Sequence, residues 1–172
     1  MEYEHFSAFM KLLAEENPQA ITSFLLKGAI YEGNLDRELA LDSYEGELSP
    51  ELRERVLGAD ELYEAVYDDE EFILHIEFQR FGEKDLPRKL WECNTLTTII
   101  TDKPVYTVVI YGRPEADISE PMYEIRLPDG QLTHSFAFGQ TKLWEIEPAV
   151  FEQPEFIGLL PLQPLTKNGP KP

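Results

Sequence analysis

Asp60 is followed at some distance by Glu77-Phe-Gln79, and these three side chains are the ones whose types could act together. Carboxylate oxygens are the preferred ligands of hard divalent cations such as Mg²⁺ or Mn²⁺, and two neighbouring carboxylates on a partly buried face are costly unless a cation lies between them. Mg²⁺ keeps some of its waters, and one held beside Gln79 could become the nucleophile in phosphodiester hydrolysis while the metal offsets charge on the phosphate. Asp60 and Glu77 are therefore the candidate metal ligands, and Asp60, Glu77 and Gln79 the candidate catalytic set. By spacing alone, an acid followed by Glu-x-Gln is more often a solvated strand edge.

For the three groups to meet, two strands must place them on one face. From Phe72 to Arg80 the sequence alternates with period two, so that Phe72, Leu74, Ile76 and Phe78 form an apolar face and Ile73, His75, Glu77 and Gln79 the opposite one. The pattern turns to strand from Val56, and the acidic run Asp68-Asp69-Glu70-Glu71 is suited to a short hairpin connection although it lacks Asn-Gly or Asp-Gly. A turn about Asp69 and Glu70 sets Tyr67 opposite Phe72 and Asp60 opposite Gln79, diagonal to Glu77. Facing Cβ atoms then lie about 5 Å apart, and a slip by one residue would send Asp60 to the other face.

The remaining chain predicts a mixed α/β domain. Phe6, Phe9, Leu12 and Leu13 have helical spacing, and Asn17-Pro18 reads as the start of a second helix carrying Ile21, Phe24 and Leu25, with Gly28 as its stop. Residues 29 to 55 read as loop, short strand and a helical turn from Ser49-Pro50, with no chemistry assigned. Leu90, Cys93, Leu96 and Ile100 predict a helix between Pro87 and Asp102, and the β-branched run Val105 to Tyr111 predicts a central strand buried on both faces. Met122 to Leu127 and Gln131 to Phe138 flank Pro128-Asp129-Gly130 and predict a further hairpin. The layout is one domain over 1–165, with a mobile tail over 166–172.

Composition narrows the classes of function. Lys and Arg number 15 against 33 Asp and Glu, a formal net charge of −18 that opposes binding to polyanions but welcomes a divalent cation. No apolar run approaches the roughly 20 residues that cross a bilayer. Cys93 is the only cysteine, which excludes an intrachain disulfide, and the first residues lack the basic region and cleavage site of a secretory leader, so a cytoplasmic location is expected. Cys93 is read as a small apolar core residue, His75 as a hydrogen-bonded structural residue, and Trp91 and Trp144 as packing groups.

The stretch Leu52-Arg-Glu-Arg-Val-Leu-Gly-Ala-Asp60-Glu-Leu-Tyr, then Phe72-Ile-Leu-His-Ile-Glu77-Phe-Gln79, then Leu86-Pro-Arg88-Lys-Leu resembles the Rpn family of recombination-promoting nucleases and putative transposases, within the PD-(D/E)XK nuclease superfamily. Leu143-Trp-Glu145 and Gly158-Leu-Leu-Pro-Leu162 resemble segments near the end of such domains. The resemblance implies a restriction endonuclease-like fold, with a mixed central sheet flanked by helices, and a Mg²⁺- or Mn²⁺-dependent DNA endonuclease in which Asp60 and Glu77 hold the metal. Gln79 stands where most of the superfamily has a catalytic lysine, and a glutamine cannot supply that positive charge. Members often begin with an Asp shortly before a Phe-Lys pair, whereas this chain has Glu4, Phe9 and Lys11 there.

The resemblance also implies DNA as partner and a homodimer that pairs two sites. Arg80, Lys84, Arg88 and Lys89 are candidates for a local basic patch, and Glu15 or Glu16 for an outer carboxylate from the first helix. The alternative is a nuclease fold without efficient catalysis, serving as an acidic protein-binding subunit or a mimic of DNA.

Overall fold

The computed structural model of the chain describes residues 2–114 and 118–169. Helices α1 (Glu2–Glu16) and α2 (Pro18–Leu25) lead into strand β1 (Ile30–Asn34), then helices α3 (Arg37–Ser43) and α4 (Pro50–Leu57). A hairpin of β2 (Glu61–Tyr67) and β3 (Glu70–Gln79) is followed by α5 (Leu86–Thr101) and β4 (Val105–Tyr111). The chain continues through β5 (Met122–Arg126), β6 (Leu132–Ala137) and β7 (Gly139–Lys142) into short 3₁₀ segments, the longest of them Pro154–Leu165.

Five strands make one mixed sheet in the order β1-β2-β3-β4-β7. β1, β2 and β3 pair antiparallel, whereas β3 with β4 and β4 with β7 are parallel. The parallel β3-to-β4 step needs a crossover, which α5 supplies. The expected helix is present, and the expected strand lies inside the sheet, although β3 and not β4 is its middle strand. β5 and β6 form the expected second hairpin, but as a separate two-stranded sheet. Its turn uses Gly130 at φ +90°, where a side chain would be strained.

Alternation along β3 divides the core as the sequence predicts. Phe72, Leu74, Ile76 and Phe78 pack with Met10, Leu13 and Ile21 of the first two helices and with Phe151, Phe156 and Leu162 of the C-terminal 3₁₀ segments. On the other face Ile73 and Leu62 pack with Leu41, Val56, Cys93 and Leu96 from α3, α4 and α5. The mixed sheet is therefore flanked by helices on both sides.

Three local expectations are corrected. The buried face of α1 runs through Met10, Leu13 and Ala14, while Phe9 and Leu12 are exposed. Val56 belongs to a helix and not a strand, because Ser49 caps the N-terminus of α4 by accepting from the Leu52 N–H, Pro50 fits its first position, and β2 begins only at Glu61. The hairpin turns about Asp68 and Asp69, both left-handed at φ 49° and 65°, so Tyr67 faces Glu70 and not Phe72. Aspartate tolerates this conformation better than most residues, so two consecutive aspartates did the work expected of Asn-Gly.

At the C-terminal end Thr166 is buried and the Lys167 N–H donates to the Ile146 carbonyl, which ties the first part of the expected tail to the domain. Residues 170–172 of that tail lie outside the described residues.

Candidate active site

The corrected register differs from the expected one by two residues, so it keeps every side chain on its predicted face and brings Asp60 closer to Glu77. The ladder ends at Glu61 opposite Ile76, and continuing it by one step sets Asp60 beside Glu77 and not Gln79. The two acids are locked reciprocally. The Asp60 backbone N–H donates to Glu77 Oε1 at 3.3 Å, and the Phe78 N–H donates to Asp60 Oδ2 at 2.9 Å. Asp60 thus uses its side chain to bond β3 where the backbone ladder has stopped.

Behind Glu77 stands a buried polar relay that the sequence only partly disclosed. His75 has no exposed surface; its Nε2 lies 3.1 Å from Glu77 Oε1 and its Nδ1 3.1 Å from Thr107 Oγ1. An ionised carboxylate only accepts, so Nε2 carries the proton of the Glu77 contact. Asn94 of α5 completes the relay by donating from Nδ2 to Thr107 Oγ1 and to the Val105 carbonyl, each at 2.9 Å. His75 is therefore structural, as expected, but what it structures is the candidate site.

Asp60 is fixed from the other side by Arg37. The guanidinium donates from Nη1 to the carbonyls of Val56, Leu57 and Ala59 at 3.5, 2.8 and 2.6 Å, and from Nη2 to that of Asp60 at 3.2 Å. These carbonyls belong to the end of α4 and the connection into β2, where helix geometry leaves acceptors unmatched. Residues 29 to 55 show no chemical signature in the sequence, yet Arg37 among them holds the segment that delivers Asp60.

A second cation was also missed. Lys11 Nζ of α1 lies 2.8 Å from Asp60 Oδ1, with the Asp60 side chain 12% exposed and the lysine 42%. Glu15 and Glu16, expected as outer carboxylates on the same helix, are exposed. Glu15 does raise the proton affinity of the neighbouring Glu61.

The electrostatics follow from this packing. Burial and then the charge of Glu77 raise the Asp60 carboxyl above the usual range, although the Lys11 bond opposes them. Burial would raise Glu77 as well, but the hydrogen bond and charge of His75 outweigh it and hold Glu77 low. Burial presses the His75 imidazole down; Cys93 and Glu77 against it carry it up to about 10. Lys11 is likewise pressed down by burial and carried above its ordinary value by Asp60. On the far side of β2, burial lifts Glu61 to about 7 despite Arg37.

Asp60, Glu77 and Gln79 all line one cleft of about 320 Å³, bounded by Ser7, Arg55, Lys89 and Cys93. Gln79 is only 5% exposed, and its Oε1 is buried without a hydrogen-bond partner among the described residues. The proposed basic patch is largely neutralised: Lys89 pairs with Glu83, and Arg88 with Glu92, which also binds Arg55. Arg80 is buried and lies over the Phe81 ring, 5.2 Å from its centroid. Trp91 packs on Tyr123 and His134 of the second hairpin, and Trp144 against the cluster around Leu90 and Tyr111, both in the packing role expected of them.

No family model, no curated protein and no solved structure matches this chain. Among the described residues no group of three or more His, Cys, Asp and Glu side chains is arranged to hold a metal ion. No helix among them is long and apolar enough to cross a membrane.

Proposed function

We propose that the cleft is the active site of a divalent-metal-dependent endonuclease that hydrolyses phosphodiester bonds in DNA, with a PD-(D/E)XK-type architecture of the Rpn kind. The observation that carries the proposal is the reciprocal pairing of Asp60 and Glu77 at the wall of a cleft that Gln79 also lines. The donors present there suit Mg²⁺ or Mn²⁺, since they are carboxylate oxygens together with the unpartnered amide oxygen of Gln79. Asp60 and Glu77 would hold the ion, which when bound would lower the pKa of a water and offset charge on the phosphate.

The chain's own groups have distinct tasks. His75 occupies Glu77 Oε1 and so fixes which carboxylate edge is presented to the cleft. The Phe78 N–H fixes Asp60 in the same way. Gln79, with an acceptor but no cation, can orient a water by accepting its O–H, while the charge that a lysine would bring must come from elsewhere.

Nicking of supercoiled plasmid with Mn²⁺ tests the assignment. Asp60→Ala and Glu77→Ala should each lower the rate by about 10²-fold or more, as loss of a site-forming charge does. Equal rates for the two variants and wild type would sink it. The net charge of −18 favours the other reading, an acidic subunit that binds protein. A stable protein partner together with no metal-dependent nicking by wild type would establish that reading.

A further inference from the structure

The cleft contains a carboxylate pair and the neutral amide of Gln79, whose oxygen has no hydrogen-bond partner among the described residues. The cations nearby are mostly committed. Arg37 is spent on four backbone carbonyls, Arg55 on Glu92, and Lys89 on Glu83. Among the described residues the ion pairs to Asp60 and Glu77 come from Lys11 and His75. His75 is buried behind Glu77, with both ring nitrogens engaged.

Lys11 differs from His75 in kind. Its ammonium contacts Asp60 Oδ1, the oxygen that the Phe78 N–H leaves open, and so would compete with a metal ion for that oxygen. An ammonium and a divalent ion cannot both occupy one carboxylate oxygen at contact distance without strong repulsion. The lysine is 42% exposed on a flexible four-carbon stem, so it can leave Asp60 without unpacking the core.

Resting on the nuclease assignment above, we propose that Lys11, paired with the cleft-lining Asp60, is a counter-ion that the site uses in two positions. In the ion-free protein it neutralises Asp60; when a divalent ion takes the carboxylates, Lys11 turns to the phosphate of the bound strand and supplies the positive charge that Gln79 lacks. A residue from α1 thus completes a site otherwise built on the β2–β3 hairpin. The same displacement makes metal entry self-limiting, because each ion must first expel a bound ammonium.

Mn²⁺ affinity, measured by calorimetry without DNA, and plasmid nicking at saturating Mn²⁺ test the assignment together. Lys11→Ala and Lys11→Gln should bind Mn²⁺ about tenfold more tightly than wild type, the effect of about 1.4 kcal/mol of lost competition. They should nevertheless nick about 10²-fold more slowly. Lys11→Arg keeps the charge and should restore most of the wild-type affinity. Lys103→Ala, whose parent pairs with Glu64 and Glu71, changes the net charge equally and serves as control. If the Lys11 variants match Lys103→Ala in affinity, or nick as fast as wild type, the role given to Lys11 is overturned while the nuclease assignment stands. If neither wild type nor any variant binds Mn²⁺, the nuclease assignment itself falls, and the role of Lys11 with it.

Discussion

His75 and Glu61 show how one sheet end handles buried charge in two opposite ways. Against its burial, His75 is carried up by Cys93 and Glu77 to about 10, above the ordinary 6.5. A folded-state pKa raised in this way stabilises the protein fully below the unfolded value, and the gain is lost as pH rises from about 6.5 to about 10. Stability in urea should therefore fall across that window, and His75→Gln should flatten the dependence. Truncation to His75→Ala, which leaves Glu77 without its partner, should cost about 3 kcal/mol at neutral pH. Glu61 has no such partner and is raised by burial to about 7, so its protonated form is the comfortable one. The stability it confers is present below its unfolded value and is lost as pH rises through 7. Glu61→Gln should raise the urea midpoint at pH 8 and leave it nearly unchanged at pH 4, an outcome that a surface glutamate would not give.

At the scale of elements, the hairpin from β2 to β3 was legible because its faces separate cleanly, but its turn was not. The faces depend on side-chain hydrophobicity, which the sequence displays, whereas the turn depends on backbone angles that Asp68 and Asp69 do not advertise as Asn-Gly would. An error of two residues left the faces intact and displaced the partner of Asp60, which is why Asp60, Glu77 and Gln79 still share a face. Asp69→Gly should stabilise the hairpin by about 1 kcal/mol by relieving a left-handed non-glycine residue, as thermal unfolding would show. Lys11 and Arg37 were illegible for a different reason. Each acts across tertiary contacts, from α1 to the start of β2 and from α3 to the end of α4, and no local periodicity records such a meeting. Arg37→Ala should lower stability by about 2 kcal/mol, since several backbone carbonyls lose a charged donor together, and equilibrium unfolding in urea would measure it.

For the molecule as a whole, the mixed α/β class, the helix α5 and the apolar run of β4 follow from hydrophobic patterning and are present, whereas the parallel pairing of β3 with β4 had no local signal in the sequence. The net charge of −18 has a thermodynamic consequence independent of any ligand. Self-repulsion opposes the compact state and is screened beyond about 8 Å at physiological ionic strength. Melting temperature should therefore rise on going from low to moderate salt, against the trend expected if surface ion pairs such as Lys103 with Glu71 governed stability.

Asp60 and Glu77 belong to a single hairpin closed by a two-residue turn, whereas the lysine that offsets one of them arrives from α1, outside that hairpin. Local loops close at lower entropic cost than long ones, so the nascent hairpin confronts its two acids with each other before α1 has docked. The repulsion is then met in the folding transition state before Lys11 can offset it. Refolding should accelerate when salt is added, with Asp60→Asn abolishing most of the effect in stopped-flow traces. A pair of residues placed to attract a cation would thus also set the pace at which the chain reaches its native form.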